Sequence, residues 1–317
     1  MAACGTTNFN DAGDYQANIR GAKFNLTFRC QRDFRARLTW IELGHLHLLF
    51  GQENLPRVAH ISLHSSLAYI ELPVSHEPPL ICNGVELQRS DIVFHGLGGR
   101  SHQRMRGSGQ WSLISLTPAH LAAWSRNLTG FDLVPPSVAR ILRSTRRDTE
   151  HLLHLHAEAC RLAETKPKII AHHEAARALE HDLLHALINC LISSDPLKSS
   201  ASNQRQGDII ARFEDVIAAH PERHLPTSEL CAIIGVPERT LRMCCTEFLG
   251  MSPSQYLRLH RLNLAHAELR RIVSPATSVE EVARRHGFPE LGRFAAIHRT
   301  VFGERPSTTL RYARAAK

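Results

Sequence analysis

Two stretches near the C-terminus read alike: IIGVPERTLRMCCTEFLGMSPSQYLR at 233–258 and RHGFPELGRFAAIHRTVFGERPSTTLR at 285–311. Each sets a glycine, an apolar residue and Pro-Glu in succession. Each has a second glycine 15 residues on (Gly235 to Gly250) or 16 residues on (Gly287 to Gly303). Three residues past that glycine stands Pro253 or Pro306, and four further on comes Leu-Arg. The copies lie 52 residues apart. A fixed offset of this size marks one supersecondary unit used twice.

In the first copy the pattern predicts a short helix over 228–233. Gly235 then supplies the positive φ of a tight turn. A second helix starts at Pro237, whose ring suits the first helical position. Helix, glycine turn and helix make a helix-turn-helix, whose second helix enters the major groove of DNA. The second copy predicts helices over 278–286 and 289–302, with Thr277 and Glu280 as a capping box. Between the copies, Ser252, Pro253 and Gln255 predict the start of a helix running to Arg271. At about 20 residues it is about 30 Å long, close to the ~34 Å of one DNA turn. It therefore spaces two recognition helices into successive grooves. On the first of them Arg239, Arg242 and Thr246 share a face by their i, i+3, i+7 spacing, and arginine pairs well with guanine. Leu241, Cys245 and Phe248 form the opposite, inward stripe.

The chain has 317 residues, 43% of them apolar, with a net charge of +8. This is enough for two domains with real cores. Residues 207–317 hold 16 basic and 12 acidic side chains, nearly twice the net charge density of the remainder. The positive charge is mostly arginine. No apolar run reaches the about 20 residues of a membrane span, and the first residues lack a signal-peptide pattern. The expected location is therefore the cytoplasm. Eight cysteines without a CxxC read as reduced, small buried residues.

The polar stretch SSDPLKSSASNQRQGD at 193–208 reads as a linker. The expected division is 1–194, a linker over 195–206, and 207–317. Upstream, short apolar and alternating runs over about 20–118 predict many short strands, as in a barrel or sandwich. Helices are expected over 134–165 and 169–193. In the second of these, Leu179, Leu183, Leu187 and Leu191 face either a second copy of the chain or its own sheet.

The two copies resemble the AraC/XylS family of bacterial transcription regulators. Gly287, Phe288, Phe294, Phe302, Gly303 and Pro306 stand at its signature positions, and 230–269 is similar to its first helix-turn-helix and connecting helix. The resemblance covers about 105 residues of the chain. It implies a multidomain α+β chain, with an N-terminal cupin-like β-barrel and following helices and a C-terminal all-α domain with two helix-turn-helix units. It implies that Arg239, Thr240, Arg242, Met243 and Thr246 face one groove, and Gly292, Arg293, Ala296 and Arg299 the next. Double-stranded DNA with a bipartite operator, RNA polymerase, a small-molecule effector and a second copy of the chain are the implied partners, with activation the family's usual output. Pro237 and Pro289 stand where the family often has a capping serine, His298 replaces an aromatic residue, and Ala296 replaces a basic one.

Other signals carry less. His45-x-His47 on a strand lacks the further Glu and His of a metal cupin, so no metal or cofactor is expected; the alternative is a metal-dependent cupin enzyme fused to the DNA-binding domain. His181-x-x-x-His185 has Asp182 where a zinc protease has glutamate. His95-Gly-Leu-Gly-Gly99 has no accompanying GxSxG, and no catalytic residues are assigned. An effector pocket is sought near Trp40, His45, His47 and His95.

Overall fold

A computed structural model of the chain describes residues 2–74, 78–197, 201–220, 225–271 and 277–315. Two units separate. One comprises Met1–Asn25, Phe34–Pro56 and His60–Ser199; the other comprises Leu26–Asp33, Arg57–Ala59 and Ser200–Lys317.

The first stretch of chain is strand-rich. It runs β1 (Ala3–Phe9), α1 (Ala12–Asn18), β2 (Ala22–Phe28), β3 (Ala36–Leu43), β4 (Leu46–Glu53), β5 (Arg57–Leu63) and β6 (Ala68–Leu72). Then follow β7 (Ile81–Cys82), β8 (Val85–Glu86), β9 (Asp91–Phe94), β10 (Arg100–Met105), β11 (Gly109–Leu116) and α2 (Pro118–Thr129). After these come β12 (Arg140–Arg143), α3 (Arg146–Thr165), α4 (Pro167–Ala171), α5 (His173–Ile192) and β13 (Asp195–Pro196). An eight-stranded sheet is ordered β1-β3-β4-β11-β6-β9-β12-β13 and a five-stranded one β2-β5-β10-β7-β8. The expected single barrel is thus two sheets that do not close. One edge of each, β13 or β8, is a two-residue strand with too few ladder bonds to carry pairing onward.

Strand alternation sends Ile70, Leu72, Ile114 and Leu116 into one apolar cluster with Leu152, Leu183, Leu187 and Leu191 of α3 and α5. The other face of the same strands holds Trp111, whose Nε1 donates to Glu53 at 2.8 Å. The leucines of α5 are therefore used within their own unit: Leu183, Leu187 and Leu191 are buried and Leu179 packs against them. Only the other face of α5 is left for a second copy.

The helix expected over 134–165 starts late, at Arg146. Pro135 and Pro136 keep the chain out of a helix, and Arg140–Arg143 adds to the sheet beside β9. There Arg143 grips Asp91 through two bonds of 2.8 and 3.1 Å. The stretch read as a linker, 195–206, carries β13 and the start of α6 (Ala201–Ala219); residues 198–200 lie outside the described residues. Ile209, Ile210, Phe213 and Ile217 bury one face of α6, so its polar first turns ride on an apolar helix.

The second unit continues with α7 (Thr227–Ile234), α8 (Glu238–Leu249), α9 (Pro253–Arg271), α10 (Val279–Arg285), α11 (Leu291–Phe302) and α12 (Pro306–Ala315). One apolar cluster runs through them, from Phe213 and Leu241 to Leu262, Phe294 and Leu310. Val58 belongs to the same cluster.

Each unit buries an imidazole. Burial pushes the pKa of His156 and of His298 down to about 4. Both are neutral in the folded chain at pH 5 and charged in the unfolded one. Stability is then complete above about pH 6.5 and falls as the pH drops toward 4, by up to about 1.4 kcal/mol per pH unit for each histidine. Urea midpoints at pH 7, 6 and 5 check this, and His156→Gln should flatten part of the slope. An unchanged slope in that variant means His156 is already charged in the fold.

Candidate nucleic-acid interface

The two glycine turns form as the repeat predicts. Gly235 (φ 77°) and Gly287 (φ 74°) both take the left-handed conformation that admits glycine most cheaply. The Gly235 and Val236 amides both donate to Cys231 O, at 2.9 and 3.1 Å. In the second copy the Phe288 amide reaches Ala283 O at 2.8 Å. An arginine from the helix before each pair secures its turn. Arg212 of α6 donates to Ile234 O at 2.9 Å, and Arg261 of α9 donates to Gly287 O at 3.2 Å. Arg261 also lies 5.4 Å from the Phe288 ring centroid, a cation–π contact.

The capping box sits one residue later than the sequence reading. Ser278 accepts from the Glu281 amide at 3.1 Å, and Glu281 accepts from the Ser278 amide at 2.8 Å. The second long helix also starts later: Glu290, not Pro289, is its N-cap, and no side chain caps it. Pro237 is likewise the N-cap of α8, and no side chain caps that helix either. The first-turn amides of both helices thus have no side-chain cap, and the positive end of the helix dipole favours an anion there.

On α8, Leu241, Cys244, Cys245, Phe248 and Leu249 are buried. The opposite side presents Arg239, Arg242, Met243 and Thr246 to solvent, with Thr240 half-buried at its edge. Arg242 pairs with Glu238 at 2.7 Å. Both side chains are more than half exposed, so the pair is weak and easily exchanged for a stronger acceptor. On α11, Phe294, His298 and Val301 are buried. Gly292, Arg293, Ala296 and Arg299 are exposed on the other side. All nine residues read from the sequence therefore lie at or beside the solvent face of these two helices. His298 fills the place of an aromatic residue. It bonds His266 at 3.1 Å and Glu304 O at 2.9 Å.

Nothing lies within 4 Å of where a Cβ on Gly292 would stand. Packing does not require glycine there, although glycine costs a helix about 1 kcal/mol relative to alanine. Gly292→Ala is expected to raise the urea midpoint slightly while weakening DNA binding, because the missing side chain leaves room for a close approach. Unaltered DNA affinity would deny Gly292 any place in the interface.

Sequence reading missed a further part of this unit. Arg29 donates to Gly250 O at the end of α8, and the Gln31 amide donates to Val301 O near the end of α11. The Gln31 side chain reaches Asn263 of α9 at 3.0 Å. One short segment thus touches all three helices. No local pattern marks it, since its partners lie more than 220 residues away.

The Helix-turn-helix domain family matches residues 230–312. The chain is 33% identical over 103 residues to the probable thc operon regulatory protein of Rhodococcus erythropolis, covering 32% of this chain and 31% of that protein. It is 30% identical over 126 residues to XylDLEGF operon transcriptional activator 2 of Pseudomonas putida, covering 38% of this chain and 80% of that protein. A solved structure, a probable AraC family transcriptional regulator from Rhodopseudomonas palustris CGA009, aligns at 34% identity over 34% of this chain and 98% of its own, with a TM-score of 0.31. The match to the first of these relatives spans 31% of that relative's length.

Proposed function

This chain belongs to the AraC/XylS family of transcription regulators, and from that membership we propose that it is a sequence-specific DNA-binding regulator with an effector-sensing N-terminal unit. The pairs α7–α8 and α10–α11 are its two helix-turn-helix units. The strand-rich unit, built like an open cupin, senses and dimerises. The output is activation through RNA polymerase in the cytoplasm, and no catalytic step is part of this reading.

The observation that carries it is the repeated face. Twice in the unit a glycine turn leads into a 12-residue helix with an apolar stripe inward and arginine outward. Arginine in the major groove donates two bonds to guanine, at O6 and N7.

The test is selection of duplexes by the full chain from a random-sequence library. Two boxes with centres about 10–11 base pairs apart are expected. Arg242→Ala should lose about 1–3 kcal/mol of preference at one base of one box. Arg258, exposed on α9, should act on phosphate. Arg258→Ala then weakens all duplexes alike and lowers the salt slope by about one. A selection without a common motif, or an Arg242→Ala chain that treats every duplex as wild type does, rejects the assignment.

A further inference from the structure

The strand-rich unit holds a cavity of about 770 Å³ between the outer face of the eight-stranded sheet and α3. That volume suits a small molecule held in a cleft that is open to solvent on one side. None of Trp40, His45, His47 and His95 lines it. The three histidines are dispersed: the His45 ring stacks on His120 at 3.6 Å, His47 is exposed, and His95 is buried against Glu71 at 3.2 Å.

The chemistry of the wall is divided. Phe50 of β4 and Leu153 and Cys160 of α3 give an apolar floor. His156, at the same level, is bonded to Ser112 at 2.6 Å. Desolvation keeps its imidazole neutral. The floor therefore carries no charge. Charge is confined to the rim, where Arg89, Arg146 and Arg161 line the opening together with Glu150 and Glu164.

The rim charges do not cancel. Arg146 is held by Glu150 at 2.8 Å and Arg161 by Glu158 at 2.6 Å. Glu164 accepts from Arg37 at 3.5 Å and from Thr39 at 3.3 Å. Arg89 stands in a turn, and no carboxylate is within bonding distance of it among the described residues; the Glu150 carboxyl is held below the usual range chiefly by its bond from Arg146, and the charge of Arg89 adds only the smallest part. An apolar floor with one surplus guanidinium at its mouth describes a particular guest.

We infer that this cleft binds a small organic anion with a flat apolar body, the body lying on Phe50 and Leu153 and the anionic group at Arg89. The inference rests on the sensor reading for its purpose, but the site stands on its own geometry. A guest lodged between α3 and the sheet acts on the fold only through unequal affinity for two placements of α3.

The full chain is titrated with 8-anilinonaphthalene-1-sulfonate, and with N-phenyl-1-naphthylamine as the same body without the charge. One saturable site for the sulfonate is expected, with the neutral compound at least about tenfold weaker. Arg89→Gln should weaken the sulfonate by about ten- to a hundredfold, the worth of a charge-assisted bond, and leave the neutral compound unchanged. Ala157→Trp, at an exposed position on the cavity wall, should block both compounds without lowering the melting temperature. Equal binding of the two compounds, or binding that Ala157→Trp leaves intact, overturns the site. Affinity for the selected duplex is then measured with and without the sulfonate. A change supports the effector role; a filled site without any change in DNA affinity rejects the sensing purpose and leaves the anion site standing.

Discussion

Phe294→Ala is expected to cost the helical unit about 3–5 kcal/mol, the usual toll of emptying a buried phenyl site. Phe294 is fully buried. Its ring lies 5.1 Å from Phe288 and 5.7 Å from His298. Phe288 carries the turn before α11, and His298 fastens α11 to α9 through His266. Truncation therefore opens a cavity at the point where α11 is positioned. Urea unfolding of the full chain, followed by far-ultraviolet circular dichroism, reads the loss. Affinity for the second box should fall with it. Arg293→Ala is the control: an exposed side chain on the same helix, it should weaken the second box while keeping the wild-type midpoint. A Phe294→Ala chain that loses less than about 1 kcal/mol would show a site able to collapse around the gap, and so a looser core than the burial indicates.

Much of the helical half was legible because its signals are local. Glycine, proline and the apolar stripe lie within one turn of the features they set, so α7, α8 and α9 fall within a residue or two of the expected bounds. Sequence pattern and structure part where two local patterns compete or where a distant partner decides. Thr277-x-x-Glu280 and Ser278-x-x-Glu281 satisfy the same capping rule, and only backbone geometry selects Ser278. Residues 140–143 look helical beside the long run that follows, yet β9, almost fifty residues earlier, makes them a strand. The sequence pattern puts His45 on a strand beside His47, but His45 stands in the turn before β4. The cavity has no signature in the sequence for the same reason. Its floor joins β4 to α3, about a hundred residues apart, while His45, His47 and His95 spread over the turn before β4, over β4 itself and beyond β9. Side chains gathered by tertiary packing leave no periodic trace in the sequence.

Inserting five base pairs between the two boxes should lower the affinity of the full chain by about a hundredfold or more, close to loss of one box. Half a turn of DNA carries the second box to the opposite side of the duplex. The connecting helix cannot follow. α9 has 19 residues, about 28 Å, and is packed along its whole length. Tyr256 donates to Glu214 at 2.8 Å near its start. Leu262 and Ala265 are buried at its middle and Leu269 near its end. Side chains from both copies of the repeat belong to the one cluster around it, so bending α9 means opening that core. A ten-base-pair insertion separates this account from a jointed one. It restores the face but adds about 34 Å along the axis, more than the length of α9. A rigid connector therefore stays weak on both insertions. Recovery at ten base pairs would instead require the two recognition helices to move apart, and would replace α9 as a spacer by a flexible joint.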